Sequence, residues 1–166
     1  MINFYDPVAM VTSLGPRAAG ILLSVALLGG LVAGASRPGL VLKDDGFINA
    51  QTPGVLNIEA GECFDDPAYD VVFAGVIVNY RPCVEGAQNQ SYGFLRMPDA
   101  AWDEAAVRAY GWDGCRRAQA RRWPAGDPGV ALYPVLPTPE TWADGDRTVM
   151  CVRYRPTGRL SPADTR

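Results

Sequence analysis

The longest apolar run lies over residues 18–36 (AAGILLSVALLGGLVAGAS), nineteen positions without a charge, bracketed by Arg17 and Arg37. At about 1.5 Å per residue it makes roughly 28 Å of helix, close to the hydrocarbon thickness of a bilayer. Backbone amides do not stay unpaired in lipid, so the run predicts either a retained transmembrane helix or a signal segment that is removed. Ala33-Gly34-Ala35 fits the small-residue cleavage pattern. Against cleavage, the run is long for a signal, and only Arg17 among the residues before it is basic. Retention is the expectation. Along the run, Ala26, Gly30 and Gly34 recur every four residues, and Gly20 and Ser24 do so on a nearby face. Small residues at that spacing let a second membrane helix approach closely.

Beyond the run the pattern is that of a small globular domain. Residues 37–54 carry Pro38, Gly39, Asp44, Asp45, Gly46, Pro53 and Gly54 and read as a linker. Residues 55–58 (VLNI) begin ordered structure, and residues 61–64 (GECF) continue it to a turn at Asp65-Asp66-Pro67. Residues 71–78 (VVFAGVIV) form a strongly β-prone run interrupted at Gly75, and residues 92–97 form another short strand. Pro98-Asp99 reads as a helix start with Asp99 in the capping position. Trp102, Ala105, Ala106, Ala109, Trp112, Cys115 and Gln119 then follow at helical offsets, with the helix weakened or split at Gly111 and Gly114. Trp123-Pro124 ends it. Residues 130–133 start a strand, Pro134, Pro137 and Pro139 hold the next stretch extended, and residues 148–154 (TVMCVRY) close the domain as a strand. The tail, 157–166, reads as flexible.

The expected organisation is therefore a short N-terminal segment (1–17), a transmembrane helix (18–36), a linker (37–54) and one domain (55–156). The fold class expected of that domain is α+β, a mainly antiparallel sheet with one helix. A little over a hundred residues suffices for one core and not two.

Composition then removes several classes of function. A net charge of −3 with mixed signs offers no basic stripe, so nucleic acid is not an expected partner; the cluster Arg116, Arg117, Arg121 and Arg122 reads as a solvated helix face. Fourteen arginines against one lysine, Lys43, resemble the codon bias of a GC-rich bacterial genome and carry no chemistry of their own. With no histidine, Ser-His-Asp and Cys-His nucleophiles and histidine metal sites are excluded.

The four cysteines, Cys63, Cys83, Cys115 and Cys151, all follow the apolar run. An even number confined to one small domain predicts two disulfides; structural zinc favours CxxC pairs, which are absent, and no metal or other cofactor is expected. Disulfides need an oxidising compartment, so the first seventeen residues are expected in the cytoplasm and the domain outside it.

One stretch carries a resemblance. Gly61-Glu62-Cys63-Phe64-Asp65-Asp66-Pro67 opens a pattern that continues through a strand ending at Cys83 and a helix with one cysteine. It closes on Pro139-Glu140-Thr141-Trp142-Ala143-Asp144-Gly145-Asp146-Arg147-Thr148-Val149-Met150-Cys151. Over residues 58–152 this resembles the septum-formation-related domain of membrane- or lipid-anchored actinobacterial envelope proteins. The most specific piece is W-x-x-G-D-R-x-x-x-C at Trp142, Gly145, Asp146, Arg147 and Cys151. That family's second cysteine is typically followed by Pro-His and then Glu; here those positions are Gly86, Ala87 and Gln90. A role resting on the histidine and glutamate is therefore lost in this chain.

Read without the family, Trp142 plugs a sheet edge, Asp146 and Arg147 pair locally or cap amides, and Asp144 and Asp146 belong to a turn rather than a calcium loop. Four cysteines allow three pairings. Cys63–Cys83 with Cys115–Cys151 would join two early strands and pin the helix to the last strand; the nested set Cys63–Cys151 with Cys83–Cys115 is the alternative.

These readings point to a non-catalytic, membrane-anchored interaction module, an accessory single-pass subunit of a larger bacterial membrane or envelope complex. Its expected partners are the lipid bilayer and an integral membrane or envelope protein. The alternative is a secreted or tethered hydrolase using paired carboxylates, but no spacing places two of them across a cleft.

Overall fold

The computed structural model describes residues 39–165. In chain order the elements are β1 (Cys63–Phe64), β2 (Ala68–Asp70), β3 (Gly75–Ile77), β4 (Asn89–Arg96), α1 (Glu104–Arg122), β5 (Ala131–Val135), α2 (Pro139–Ala143) and β6 (Thr148–Tyr154). Single 3-10 turns lie at Val55–Asn57 and Cys83–Glu85. β1, β4, β6 and β5 make one antiparallel sheet in that order, and β2 and β3 pair separately as a hairpin. Over the described residues the fold is thus α+β, with antiparallel sheets, one main helix and two disulfides. The expected transmembrane helix and its packing positions Gly20, Ser24, Ala26, Gly30 and Gly34 lie outside the described residues. Among the described residues no helix is long and apolar enough to cross a membrane.

β6 organises the core because both its faces are covered. Val149 and Cys151 face Tyr92, Val107, Cys115, Leu136 and Trp142, whereas Met150, Val152 and Tyr154 face Ile48, Val55, Phe64, Tyr133 and Val135. Period-two alternation sends successive side chains to opposite faces, so a strand between two apolar layers must be apolar at nearly every position. The register of β4 against β6 shifts between Ser91 and Gly93, leaving Tyr92 as the extra residue. That bulge aims the buried Tyr92 at α1, where its hydroxyl donates to the Cys115 carbonyl at 2.9 Å.

α1 departs from expectation at its start and at its middle. Its N-cap is Asp103, whose carboxylate accepts from the Ala106 amide, because Asp99 is engaged by Arg147 at 3.0 Å. The helix also runs unbroken through Gly111 and Gly114. A Cβ on Gly111 would stand 2.5 Å from Leu136 Cδ2 and 3.3 Å from Pro134 Cβ. The missing side chain lets the helix axis settle onto the sheet, and packing outweighs the helix propensity that glycine lacks.

Three further segments differ from the sequence reading. The stretch holding Pro137 and Pro139 is not wholly extended, since Pro139 opens the short helix α2. Residues 39–54 are not a loose linker. Val41 donates to the Pro156 carbonyl, Ala50 donates to the Leu136 carbonyl, and Ile48 and Ala50 are buried. The tail does not hang free either: Leu160 is fully buried, pairs with Ala87, and donates to its carbonyl at 2.7 Å. Polar composition hid both segments, because each is fixed by one or two deeply inserted side chains among turn residues.

Candidate interaction surface

The run at residues 71–78 is not one strand. Asp70 accepts from the amides of Val72 (2.8 Å) and Phe73 (3.2 Å), curling the chain, and Ala74 takes a positive φ of 51° before Gly75. The result is a short hairpin in which Ala68, Tyr69 and Asp70 face Ile77, Val76 and Gly75. Its tip is apolar and bare. Val71, Val72 and Phe73 are 82%, 83% and 71% exposed, and the opposed pair Tyr69 and Val76 is also exposed.

The root of this finger is fastened. Cys63 and Cys83, the residues on either side of it, form a disulfide. Asp65 binds both Arg81 and Arg159; burial alone would raise its carboxyl, but the two guanidinium groups hold it below the usual carboxylate range. The Val78 amide donates to the Pro53 carbonyl at 2.8 Å, and a Cβ on Gly54 would lie 2.4 Å from the Val78 carbonyl oxygen. Gly54, at a φ of 87°, is therefore required both by its backbone and by this approach. An isolated two-stranded hairpin is marginal in water, so these root contacts supply the order that its strands cannot.

The second disulfide, Cys115–Cys151, ties α1 to β6 beneath the sheet. Both bridges follow the sequential pairing rather than the nested one.

The tryptophan-led motif is a joint. Thr138 and Thr141 form a reciprocal capping box with Pro139 in the first turn, starting α2. Trp142 is buried against Val107, Leu136 and Val149, and its indole N–H donates to the Ala100 carbonyl at 3.1 Å. Gly145 (φ 94°) reverses the chain, and Asp146 caps the Thr148 amide at 2.8 Å. Arg147 donates to the Trp142 and Asp146 carbonyls and to Asp99. These groups hold α2 to the start of β6 and to the segment at Asp99 and Ala100 ahead of α1. Gly61, at a φ of 94°, does the corresponding work ahead of β1, its N–H donating to the Ser91 carbonyl and its carbonyl accepting from the Gln90 side-chain Nε2. The three positions where the resembled family differs are built into the same structure: Ala87 and Gln90 are buried, and the Gly86 carbonyl accepts from Arg159.

A buried polar centre escaped the sequence reading. Lys43 is almost fully enclosed, with its Nζ donating to Asp66 and to Asn89 Oδ1 (2.8 Å), and lying 4.9 Å and 5.0 Å from the Phe47 and Tyr154 ring centroids. Asn89 Nδ2 donates to Asp66 Oδ1 at 2.7 Å, and the Tyr133 hydroxyl donates to Asn89 Oδ1 at 3.1 Å. Burial pushes the Lys43 ammonium below its ordinary value, and Asp66 offsets part of that. The one available signal was that a chain so rich in arginine keeps a single lysine. Other inward carboxylates are paired too, among them Asp45 with Arg108, Asp127 with Arg153, and Asp164 with Arg155.

No family model, curated protein or solved structure matches this chain.

Proposed function

We propose that the chain is a non-catalytic, membrane-anchored extracytoplasmic interaction module, a single-pass accessory subunit of a larger bacterial membrane or envelope complex. In this reading residues 18–36 are the anchor, the small-residue face from Gly20 to Gly34 packs against a partner helix, and the β2–β3 finger docks on an envelope protein. The resemblance to septum-formation-related domains supports the envelope location, and the two disulfides support an oxidising compartment.

The finger carries the proposal. Three adjacent apolar side chains held in water at a fixed place are a cost to a monomer and an asset to a binder. Because the root is already ordered by a disulfide and by Asp65, docking would not have to supply that ordering free energy. Burying Val72 and Phe73 would contribute about 1.5–3 kcal/mol each.

The test is extraction of the tagged full chain from native membranes in mild detergent, with mass spectrometry of what stays bound. Wild type should retain a stoichiometric partner. Val72→Asp combined with Phe73→Asp should lose it, by about 100-fold or more in affinity, while the melting temperature is unchanged. Gly30→Leu combined with Gly34→Leu should weaken retention through the helix. A partner held equally well by the finger variant would remove the finger from the interface.

A further inference from the structure

The only lysine of the chain is buried against an asparagine, a carboxylate and a tyrosine hydroxyl, and those four groups make a complete reaction site. We propose that Lys43 and Asn89 join through an intramolecular isopeptide bond, formed by the folded protein itself, with Asp66 as the proton carrier and Tyr133 as the donor to the carbonyl oxygen.

Each part has its counterpart in the geometry. The nucleophile is Lys43 Nζ, within hydrogen-bond distance of Asn89 Oδ1 at 2.8 Å. That contact is with the carbonyl oxygen, so attack requires only that the amine shift from the oxygen to the face of the neighbouring Cγ. A lysine amine attacks only when neutral; the near-complete enclosure of the Lys43 side chain disfavours its charge, against the pull of Asp66 and of the Phe47 and Tyr154 ring faces, which favour it. Asp66 touches both nitrogens that exchange protons, accepting from Lys43 Nζ and from Asn89 Nδ2. The Tyr133 hydroxyl donates to the oxygen on which negative charge develops, the role of an oxyanion-stabilising group. Asn89 and Tyr133 are fully buried, so water does not compete at the carbonyl.

The step balances without a co-reactant. Asp66 takes the extra proton from the ammonium group. The Nζ lone pair attacks Cγ of Asn89, forming a tetrahedral centre whose oxygen is held by Tyr133. Asp66 then protonates Nδ2, the Cγ–Nδ2 bond breaks, and ammonia leaves; the proton lost from Nζ returns to Asp66. The products are one secondary amide and one ammonia, and nothing is oxidised or reduced. Asp66 also lines an open surface cavity of about 300 Å³ with Val41, Gln88 and Arg159, which gives ammonia a way out.

The bond would strap residue 43, ahead of β1, to β4, an inner strand of the four-stranded sheet. This inference is independent of the docking role of the finger.

The full chain, reduced and denatured, is weighed intact and probed with an amine reagent. The expected result is a mass about 17 Da below that of the reduced sequence, the weight of one ammonia, with no label on Lys43. Cleavage before Asp44 and Asp70 separates the two residues, and their peptides should emerge linked. Lys43→Arg, Asn89→Ala and Asp66→Ala should each return the mass to that of their own sequence. Because the linked peptides are sought in the wild type, a variant that fails to fold leaves the test intact. A wild-type mass equal to that of the sequence with Lys43 fully labelled overturns the proposal. So does the same loss confined to Asn89 as a cyclic imide, or a loss of about 18 Da with Lys43 joined to Asp66.

Discussion

The guanidinium of Arg147 lies 3.9 Å from the centroid of the Trp142 ring, and its Nη1 donates to the carbonyl of the same tryptophan at 2.6 Å. One side chain thus clamps both the indole and the backbone of α2 to the start of β6. A planar guanidinium can lie flat on the indole while its in-plane N–H groups reach two carbonyls and a carboxylate, a geometry that a compact ammonium does not reproduce. Arg147→Lys should therefore destabilise the domain by about 1–2 kcal/mol, and Trp142→Ala by about 3–5 kcal/mol, in urea unfolding followed by fluorescence or far-ultraviolet dichroism.

The two disulfides should behave differently on removal. Cys115→Ser with Cys151→Ser opens the link between α1 and β6 and should cost about 2–4 kcal/mol of global stability. Cys63→Ser with Cys83→Ser frees the root of the finger. Its effect should appear chiefly as faster amide exchange over residues 64–82, with the slowest amides of β6 less affected. Equal loss of protection everywhere would contradict this division.

Acid should loosen the tail first. Asp164 accepts a bidentate pair from Arg155 and two further bonds from Ser161, and Arg155 chiefly holds its carboxyl well below the ordinary carboxylate range. Asp65 is depressed in the same sense. A carboxyl lowered by folding contributes stability that is complete above its unfolded value, about 3.9, and that disappears as pH falls through the lower folded value. Stability should therefore be insensitive to these groups between about pH 5 and 8 and decline below about pH 4. Asp164→Asn should cost about 1–2 kcal/mol at neutral pH and flatten the acid slope. Thermal melts across that range measure both.

Leu160 gives the apolar half of the same prediction. It is fully buried and seated on Ala87. Leu160→Ala should destabilise by about 2–4 kcal/mol, a cost that a free tail could not produce.

The contact beneath α1 is tested at Gly111. Valine there meets Leu136 and the rigid ring of Pro134. Overpacking of this kind costs about 1–3 kcal/mol, so Gly111→Val should lower the melting temperature.

How legible all this was depended on whether a signal was local. β6 could be read because its seven residues are almost continuously apolar, and α1 because its spacing repeats over five turns. The cysteines announced bridges but not partners, since pairing is decided by which strands meet. The tip at Val71 and Val72 looked like strand interior, because β propensity records the shape of a side chain and not whether anything covers it. Lys43 was invisible for the opposite reason: its surroundings come from residues 23, 46 and 111 positions away. Asp99 was misread as a cap because the competing Arg147 lies 48 positions on.

Consecutive cysteines pair, so the covalent loops closed by Cys63–Cys83 and Cys115–Cys151 do not overlap. A domain exported from its amino-terminal end would present its leading two thiols to an oxidase while the trailing two were still behind the membrane. No wrong partner would be within reach, and the right bridge would form by default. Oxidation in order of arrival is enough for such a chain, and maturation would call for an oxidase without a reshuffling enzyme.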